Sequence, residues 1–151
     1  MTSPALTTHD PHAMPEQPTQ ARRFERTRTA RSAAMLEDYA ELIADLLASG
    51  GEARATDIAR RLGVSHATAI KTIGRLKRDG LAVAQPYRGV FLTDAGHALA
   101  DRARTRHRLM VDVLLAIGVP AEAAESDAEG MEHYVSDATL TAFSRFLRDR
   151  D

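Results

Sequence analysis

The stretch that most constrains the fold is IARRLGVSHATAIKTIGRLKRDG, residues 58–80. The spacing predicts a short helix over 55–62, with Thr56 as a candidate cap and Ile58, Ala59 and Leu62 facing inward. Gly63 supplies a tight turn and Ser65 caps a longer basic helix that runs to about Asp79 through Ile70, Ile73 and Leu76, where Gly80 stops it. A short helix, a glycine-containing turn and a longer basic helix form the helix-turn-helix pattern. LAVAQPYRGVFLT, residues 81–93, then reads as two short strands around a turn at Gln85–Gly89, which adds a β-wing directly after the third helix.

Helices flank this unit on both sides. Residues 32–48 place Met35, Leu36, Tyr39, Leu42, Ile43, Leu46 and Leu47 at helical spacing, with Ser32 as cap and Gly50–Gly51 as stop. Thr93 caps a long helix that carries Leu99, Ala103, His107, Met110 and Leu114 on one stripe and ends before Gly118 and Pro120. Two more helices are expected over 121–130 and 136–148, the last with an apolar stripe of Leu140, Phe143 and Phe146. The fold class is therefore mainly α with a small β-wing: a winged helix-turn-helix over residues 32–95 and a helical unit over 96–151. Residues 1–31 read as an unstructured tail, because Pro4, Pro11, Pro15 and Pro18 interrupt helix and apolar residues are sparse.

Charge separates the two halves. Residues 54–88 hold eight Lys/Arg against two acids, whereas residues 120–151 hold eight acids against three Arg, although the chain as a whole carries a net charge of only −1. A recognition helix needs small or polar residues at its N-terminal end to approach base edges, then cations to anchor phosphates. Ser65, His66 and Thr68, with Ala67 or Ala69 available to thymine methyls, meet the first need. Lys71, Thr72 and Arg75 follow, toward bases or backbone, with Lys71 and Arg75 as the cations, and Tyr87 and Arg88 at the wing tip would lie along the backbone or the minor groove. Double-stranded DNA is the expected partner. The run ARRFERTRTAR, residues 21–31, has five Arg and one Glu, as suits either an arm on phosphates or a solubilising tail.

The acidic half raises a different question. In DAEGMEHY, residues 127–134, a helix would put Glu129, Glu132 and His133 on one face at i, i+3 and i+4, where the two carboxylates repel. Asp38 and Glu41 share a face of the helix over 32–48, and His107 sits on the long helix. Each has an ordinary reading beside it, as a solvated helix face or a core histidine. Taken together, four carboxylates and two imidazoles can hold two divalent ions if some carboxylates bridge, and such donors suit Mn²⁺, Fe²⁺ or Zn²⁺ better than Cu⁺. The absence of cysteine excludes disulfides and thiolate sites and fits a reducing compartment. The longest apolar run, LMVDVLLAIGV, is too short to span a bilayer and the polar N-terminus carries no secretory core, so a cytoplasmic location is expected.

An enzyme is not expected. Di-iron carboxylate bundles use Glu-x-x-His, but Gly130 stands three residues before His133 and Arg104 three before His107. No HExxH, nucleophile elbow or phosphate loop is present. A winged-helix sensor of a small organic molecule would have no use for six such ligands.

LEDYAELIADLL, IARRLGVSHATAIKTIGRLKRDGL, YRGVFLTDAG, the pair RH at 106–107 and DAEGMEHYVS occur in an order that resembles the manganese-dependent transport regulators of the diphtheria toxin repressor family. The resemblance covers about residues 32–148. It implies a homodimeric, metal-activated transcriptional repressor of metal-ion transport genes, with a helical C-terminal dimerisation domain and a palindromic operator. It carries the family's ligands onto Asp38, Glu41, His107, Glu129, Glu132 and His133, and it implies Mn²⁺, two ions per subunit, with Fe²⁺ or Zn²⁺ also able to bind. Iron-type relatives place a sulfur residue where this chain has Glu129, and a hard oxygen ligand favours Mn²⁺. Two departures stand out: Tyr134 replaces a second histidine common in relatives, and residues 1–30 have no fixed family counterpart. Gly130 inside a helix costs roughly 1 kcal/mol relative to Ala, which suggests a close backbone approach near Glu129.

Overall fold

The computed structural model describes residues 10–151. Six helices and one hairpin follow in the order α1 (Gln17–Ala48), α2 (Ala55–Leu62), α3 (His66–Arg78), β1 (Ala82–Gln85), β2 (Gly89–Leu92), α4 (Asp94–Ala116), α5 (Ala121–Met131) and α6 (Asp137–Arg148). Side-chain hydroxyls cap three of the helices: Ser65 accepts from the Thr68 N–H, Thr93 from the Gly96 N–H and Ser136 from the Thr139 N–H. α2 differs from expectation in that its N-cap is Arg54, with no side-chain bond from Thr56. Gly63 turns α2 into α3 in the left-handed region, at φ 69°.

The strands pair antiparallel with Ala82 opposite Leu92 and Gln85 opposite Gly89. A bridge from Ala53 to Val90 ties the hairpin to the segment before α2, and the Val90 N–H donates to the Ala53 carbonyl at 2.9 Å. Two glycines allow this packing. Gly89 sits at φ 87° and a Cβ there would lie 2.6 Å from the Ala53 oxygen; a Cβ at Gly96, at the start of α4, would overlap the Leu81 carbonyl oxygen.

Two apolar clusters result. The first joins Leu36, Tyr39, Ala40 and Ile43 of α1 to Ile58, Ala69, Ile73, Leu76, Val90 and Leu92, and reaches Ala100 on α4. The second joins Met110, Val111 and Leu114 of α4 to Ala124 and Ala128 of α5, with Phe143 of α6 packed against it. α6 buries none of its own residues in this chain. Met110, Val113, Leu114, Ile117, Met131, Phe143 and Phe146 line one apolar surface groove. α4 is continuous through both clusters, so it and α1 are the struts that set one half against the other. Among the described residues no helix is long and apolar enough to cross a membrane.

The expectation of unstructured chain over 1–31 is corrected from Gln17 onward, where α1 is already helical. Pro18 falls in the first turn, where its missing N–H is not needed, so it starts the helix instead of breaking it. Extending a helix that the core has already nucleated adds one hydrogen bond for each residue fixed, which an Arg-rich segment favours without burial. The part of that expectation that concerns residues 1–9 lies outside the described residues.

Candidate metal centre and nucleic-acid interface

The junction between the two clusters gathers the ionisable groups. His133 is central and its ring is almost wholly enclosed. Its Nδ1 lies 2.5 Å from Glu37 Oε2 and 3.1 Å from Glu132 Oε1, and its Nε2 lies 3.0 Å from Asp38 Oδ1. Arg106 closes the back of the group, with ion pairs of 2.6 Å to Glu37 and 2.9 Å to Glu132. His107 lies beside this network, its Nε2 2.8 Å from Glu125 Oε2 and its Nδ1 3.5 Å from Glu129 Oε1. Glu41 lies within electrostatic reach of Glu129, Glu132, Arg104 and His107.

Of the six expected ligands, Asp38 of α1 meets His133 beside Glu132 at the end of α5, Glu129 lies against His107 of α4, and Glu41 of α1 is within electrostatic reach of both groups, while the ligand atoms gathered within 4.8 Å of one another belong to Glu132, His133 and the unexpected Glu37. The local form of Glu129, Glu132 and His133 differs from expectation. α5 ends at Met131, Glu132 is its C-cap, and His133 stands in a turn in which the Tyr134 N–H bonds the Met131 carbonyl. A single helical face is thus replaced by a helix end plus one turn, which bends Glu132 and His133 toward α1. Gly130 faces open space: a Cβ there would meet no heavy atom within 4 Å, so packing within the chain does not demand the glycine.

The protonation states follow from the surroundings. Burial pushes the Glu41 carboxyl up to about 7, and the charges of Glu129 and Glu132 add to this against Arg104 and His107. Burial likewise raises Glu132, more than Arg106 and His133 lower it. Burial alone would lower His133, but the carboxylates of Asp38, Glu37 and Glu132 outweigh it and raise the imidazole to about 10. Burial would raise Glu37, yet His133 and Arg106 together hold it below the usual carboxylate range.

Among the described residues four buried polar atoms have no hydrogen-bond partner: the Tyr39 hydroxyl, an Arg106 guanidinium nitrogen that ion-pairs with Glu37, and the imidazole nitrogens His133 Nε2 and His107 Nδ1. Each of the two imidazole nitrogens faces an expected ligand, Asp38 or Glu129, while the opposite nitrogen is engaged by Glu37 or Glu125. Buried unpaired polar atoms are uncommon and expensive. An imidazole held by a carboxylate on one side and open on the other is the arrangement of a metal-ligating histidine, and His107 comes nearer to it than His133, whose two nitrogens both lie within 3.0 Å of a carboxylate. The donor set is carboxylate and imidazole with no thiolate, and Glu37, Glu132 and His133 alone bring three ligand atoms within 4.8 Å of one another. The residues fit a divalent cation.

Three contributors escaped the sequence reading: Glu37, Arg106 and Glu125. Glu37 carried a signal, since it lies four residues before Glu41 on the same helix, and Arg106 stood next to His107 in the RH pair. For Glu125 no local pattern distinguishes it from other exposed acids of α5.

The DNA-facing residues separate into two groups. Ser65, His66, Thr68, Lys71, Tyr87 and Arg88 are exposed on α3 and the wing. Ser65 and Thr68 also bond each other at 2.8 Å within the cap. Tyr87 is 94% exposed at the wing tip and adopts φ 65°, and Arg54 donates to its carbonyl at 2.7 Å. Thr72 is a correction. It is buried, its hydroxyl directed at the Met35 sulfur, because position 72 of α3 faces α1. Ala69, one turn earlier on that side, is also buried. Arg75 is half-buried and donates to Ser32 Oγ at 3.0 Å.

A winged helix joined through a carboxylate–imidazole cluster to a helical unit with an uncovered apolar face defines a metal-responsive DNA-binding repressor. Family models agree. Residues 33–90 match the iron-dependent repressor N-terminal DNA-binding domain, and residues 93–151 match the iron-dependent repressor metal-binding and dimerisation domain. The chain belongs to the iron-dependent repressor family. It is 49% identical over 125 residues to the transcriptional regulator MntR of Escherichia coli, covering 83% of this chain and 81% of that protein. It is 38% identical over 101 residues to the HTH-type transcriptional regulator MntR of Bacillus subtilis, covering 67% and 71%. Among solved structures, the manganese regulator SloR superposes with a TM-score of 0.67 at 27% identity, over 75% of this chain and 53% of that one. A manganese-dependent transcriptional repressor in complex with manganese superposes at 0.61 with 30% identity, over 74% and 51%. This chain thus spans about half the length of either solved protein.

Proposed function

We propose that the chain is a cytoplasmic, manganese-responsive repressor of metal-ion transport genes that binds a palindromic operator as a homodimer. The observation that carries this reading is the origin of the six ligands. Asp38 and Glu41 lie on the helix whose Tyr39 and Ile43 are built into the winged-helix core, whereas His107, Glu129, Glu132 and His133 belong to the other half. Asp38, Glu41, His107, Glu129, Glu132 and His133 would hold Mn²⁺, two ions per subunit, and the bound cations would supply positive charge between carboxylates that otherwise repel. An oxygen-and-nitrogen donor set supports a hard ion. Glu37 and Glu125 orient the two imidazoles, and Arg106 balances Glu37 and Glu132 from behind.

Fixing Asp38 and Glu41 against the helical half fixes where α1 carries the winged helix. Operator binding by a dimer requires two recognition helices spaced by about a helical turn of DNA or a multiple of it. Ser65, His66, Thr68, Lys71 and Arg75 of α3 would address the major groove and its flanking phosphates, and Tyr87 and Arg88 the backbone beside it. Residues 32–95 serve as the DNA-binding unit and 96–151 as the dimerising and metal-holding unit, with the apolar groove of α4, α5 and α6 as the dimer seam. The test is a genomic DNA pull-down run with Mn²⁺ and with chelator. Short palindromic sites upstream of transport genes should be enriched only with Mn²⁺. Equal enrichment in both would leave a DNA reader without a metal switch.

A further inference from the structure

The helical extension of α1 before residue 32 belongs to neither apolar cluster, and the metal site does not use it. Residues 22–31 carry Arg22, Arg23, Arg26, Arg28 and Arg31 against the single acid Glu25, all exposed. Among the described residues none of these five guanidinium groups makes an ion pair, and Arg61, Arg78 and Arg88 of the winged helix are unpaired in the same way. An unneutralised cluster of this kind on a helix stable enough to project from the core calls for an anionic partner.

The direction in which the extension leaves the core identifies that partner. Ser32 and Met35 face α3: Arg75 donates to Ser32 and the Thr72 hydroxyl is directed at Met35. Arg28 lies four residues before Ser32, and Arg31 four before Met35. Both therefore continue the same helix face one turn further out. Phe24, 60% exposed, is one turn beyond Arg28 on that face. Arg22 and Arg26 lie on another side, where they line a groove with His133 and Val135. The stripe of Arg28 and Arg31 is thus continuous with the basic helix α3, which carries Lys71, Arg75, Lys77 and Arg78. From Gln17 to Arg31 the extension is about 22 Å long at the α-helical rise.

We propose that α1 before Ser32 is a DNA-binding arm, with Arg28 and Arg31 contacting phosphates that flank the stretch read by α3. The arm adds affinity without base preference, since guanidinium–phosphate contacts carry no sequence information of their own. It rests on the repressor reading above and extends the interface beyond the winged helix. Ser32 and Met35 orient it by locking α1 against α3, so the arm moves with the recognition helix.

The experiment measures the salt dependence of binding by the full chain with Mn²⁺, using a duplex enriched in the pull-down and a mixed-sequence duplex. The variants are Arg28→Gln/Arg31→Gln and, as control, Arg22→Gln/Arg26→Gln. Glutamine retains helix propensity. The plot of log affinity against log salt should become shallower by about 0.9 for each phosphate that is no longer neutralised, so by roughly 1.8 per subunit for Arg28→Gln/Arg31→Gln, on both duplexes. The control pair should keep the wild-type slope, and Arg28→Gln/Arg31→Gln should keep the wild-type Mn²⁺ affinity in the absence of DNA. An unchanged slope for Arg28→Gln/Arg31→Gln overturns the arm. Equal flattening by both pairs also overturns it, because net charge would then explain the effect without the α3-side face. A change in oligomeric state with no change in slope would assign the stripe to a second copy of the chain and overturn it too. If the wild type binds neither duplex, the repressor reading itself fails, an outcome distinct from these.

Discussion

Loading the cluster with Mn²⁺ should release protons in a number set by two groups. His133 is held up to about 10 against the effect of its burial, by the carboxylates of Asp38, Glu37 and Glu132, so it is protonated in the metal-free protein at any pH near neutrality. Glu41, raised to about 7 by burial and by Glu129 and Glu132, is half-protonated at pH 7 and mostly ionised at pH 8. A ligand must give up its proton to serve, so metal and proton compete and the apparent metal affinity falls as pH falls. His133 contributes one proton at both pH values and Glu41 about 0.5 at pH 7 but about 0.1 at pH 8, giving about 1.5 and about 1.1 in total. Glu132, also raised by burial, can only add to these numbers. Between pH 8 and pH 6 the same two groups weaken apparent affinity about 1000-fold, a hundredfold from His133 and tenfold from Glu41, on the order set by competitive protonation. Isothermal titration in two buffers of different ionisation enthalpy reads the proton number directly. Release near zero at pH 7 would mean that His133 is neutral before metal arrives and that the carboxylates do not hold it as described.

Other outcomes follow from the same geometry. Arg106→Ala leaves His133 as the only cation against the enclosed Glu37 and Glu132 and should cost about 1–3 kcal/mol of metal-free stability in urea, with Mn²⁺ restoring part of it; an unchanged unfolding midpoint would contradict the role given to Arg106. Glu125→Gln weakens the hold on His107 Nε2 and should lower Mn²⁺ affinity about tenfold while leaving DNA-free stability intact, as judged by metal titration and thermal melting. Gly96→Ala drives a methyl into the Leu81 carbonyl at the wing–α4 corner and should destabilise the fold by about 1–3 kcal/mol; a melting temperature equal to that of the wild type would show that the corner relaxes freely.

The helix-turn-helix and wing were legible because their signals are local. Gly63, Ser65 and Thr93 do in the structure what their residue types favour, and the alternation around Gln85–Gly89 formed the hairpin. The start of α1 was misread for a physical reason: Pro18 can break a helix or begin one, and its role depends on whether the core downstream nucleates the helix. Thr72 illustrates the limit of reading one helix alone. Polar residues on a recognition helix divide between groove and core according to where the neighbouring helix lies, and α1 packs on the side of Thr72. The six candidate ligands were legible through resemblance, but the outer carboxylates were not. Glu37 and Glu125 are identified by which imidazole nitrogen they touch, a relation between α1 and the turn after α5, or between α4 and α5, that no spacing within one helix encodes.

In the proposed function, metal and DNA are coupled through the junction of α1 with α4 and α5. The most direct test is a closed thermodynamic cycle at one salt concentration: operator affinity with and without Mn²⁺, and Mn²⁺ affinity with and without operator. The two ratios should be equal and lie on the order of 5–150-fold, the usual span of an allosteric coupling. Operator affinity that is the same in Mn²⁺ and in chelator would contradict the coupling.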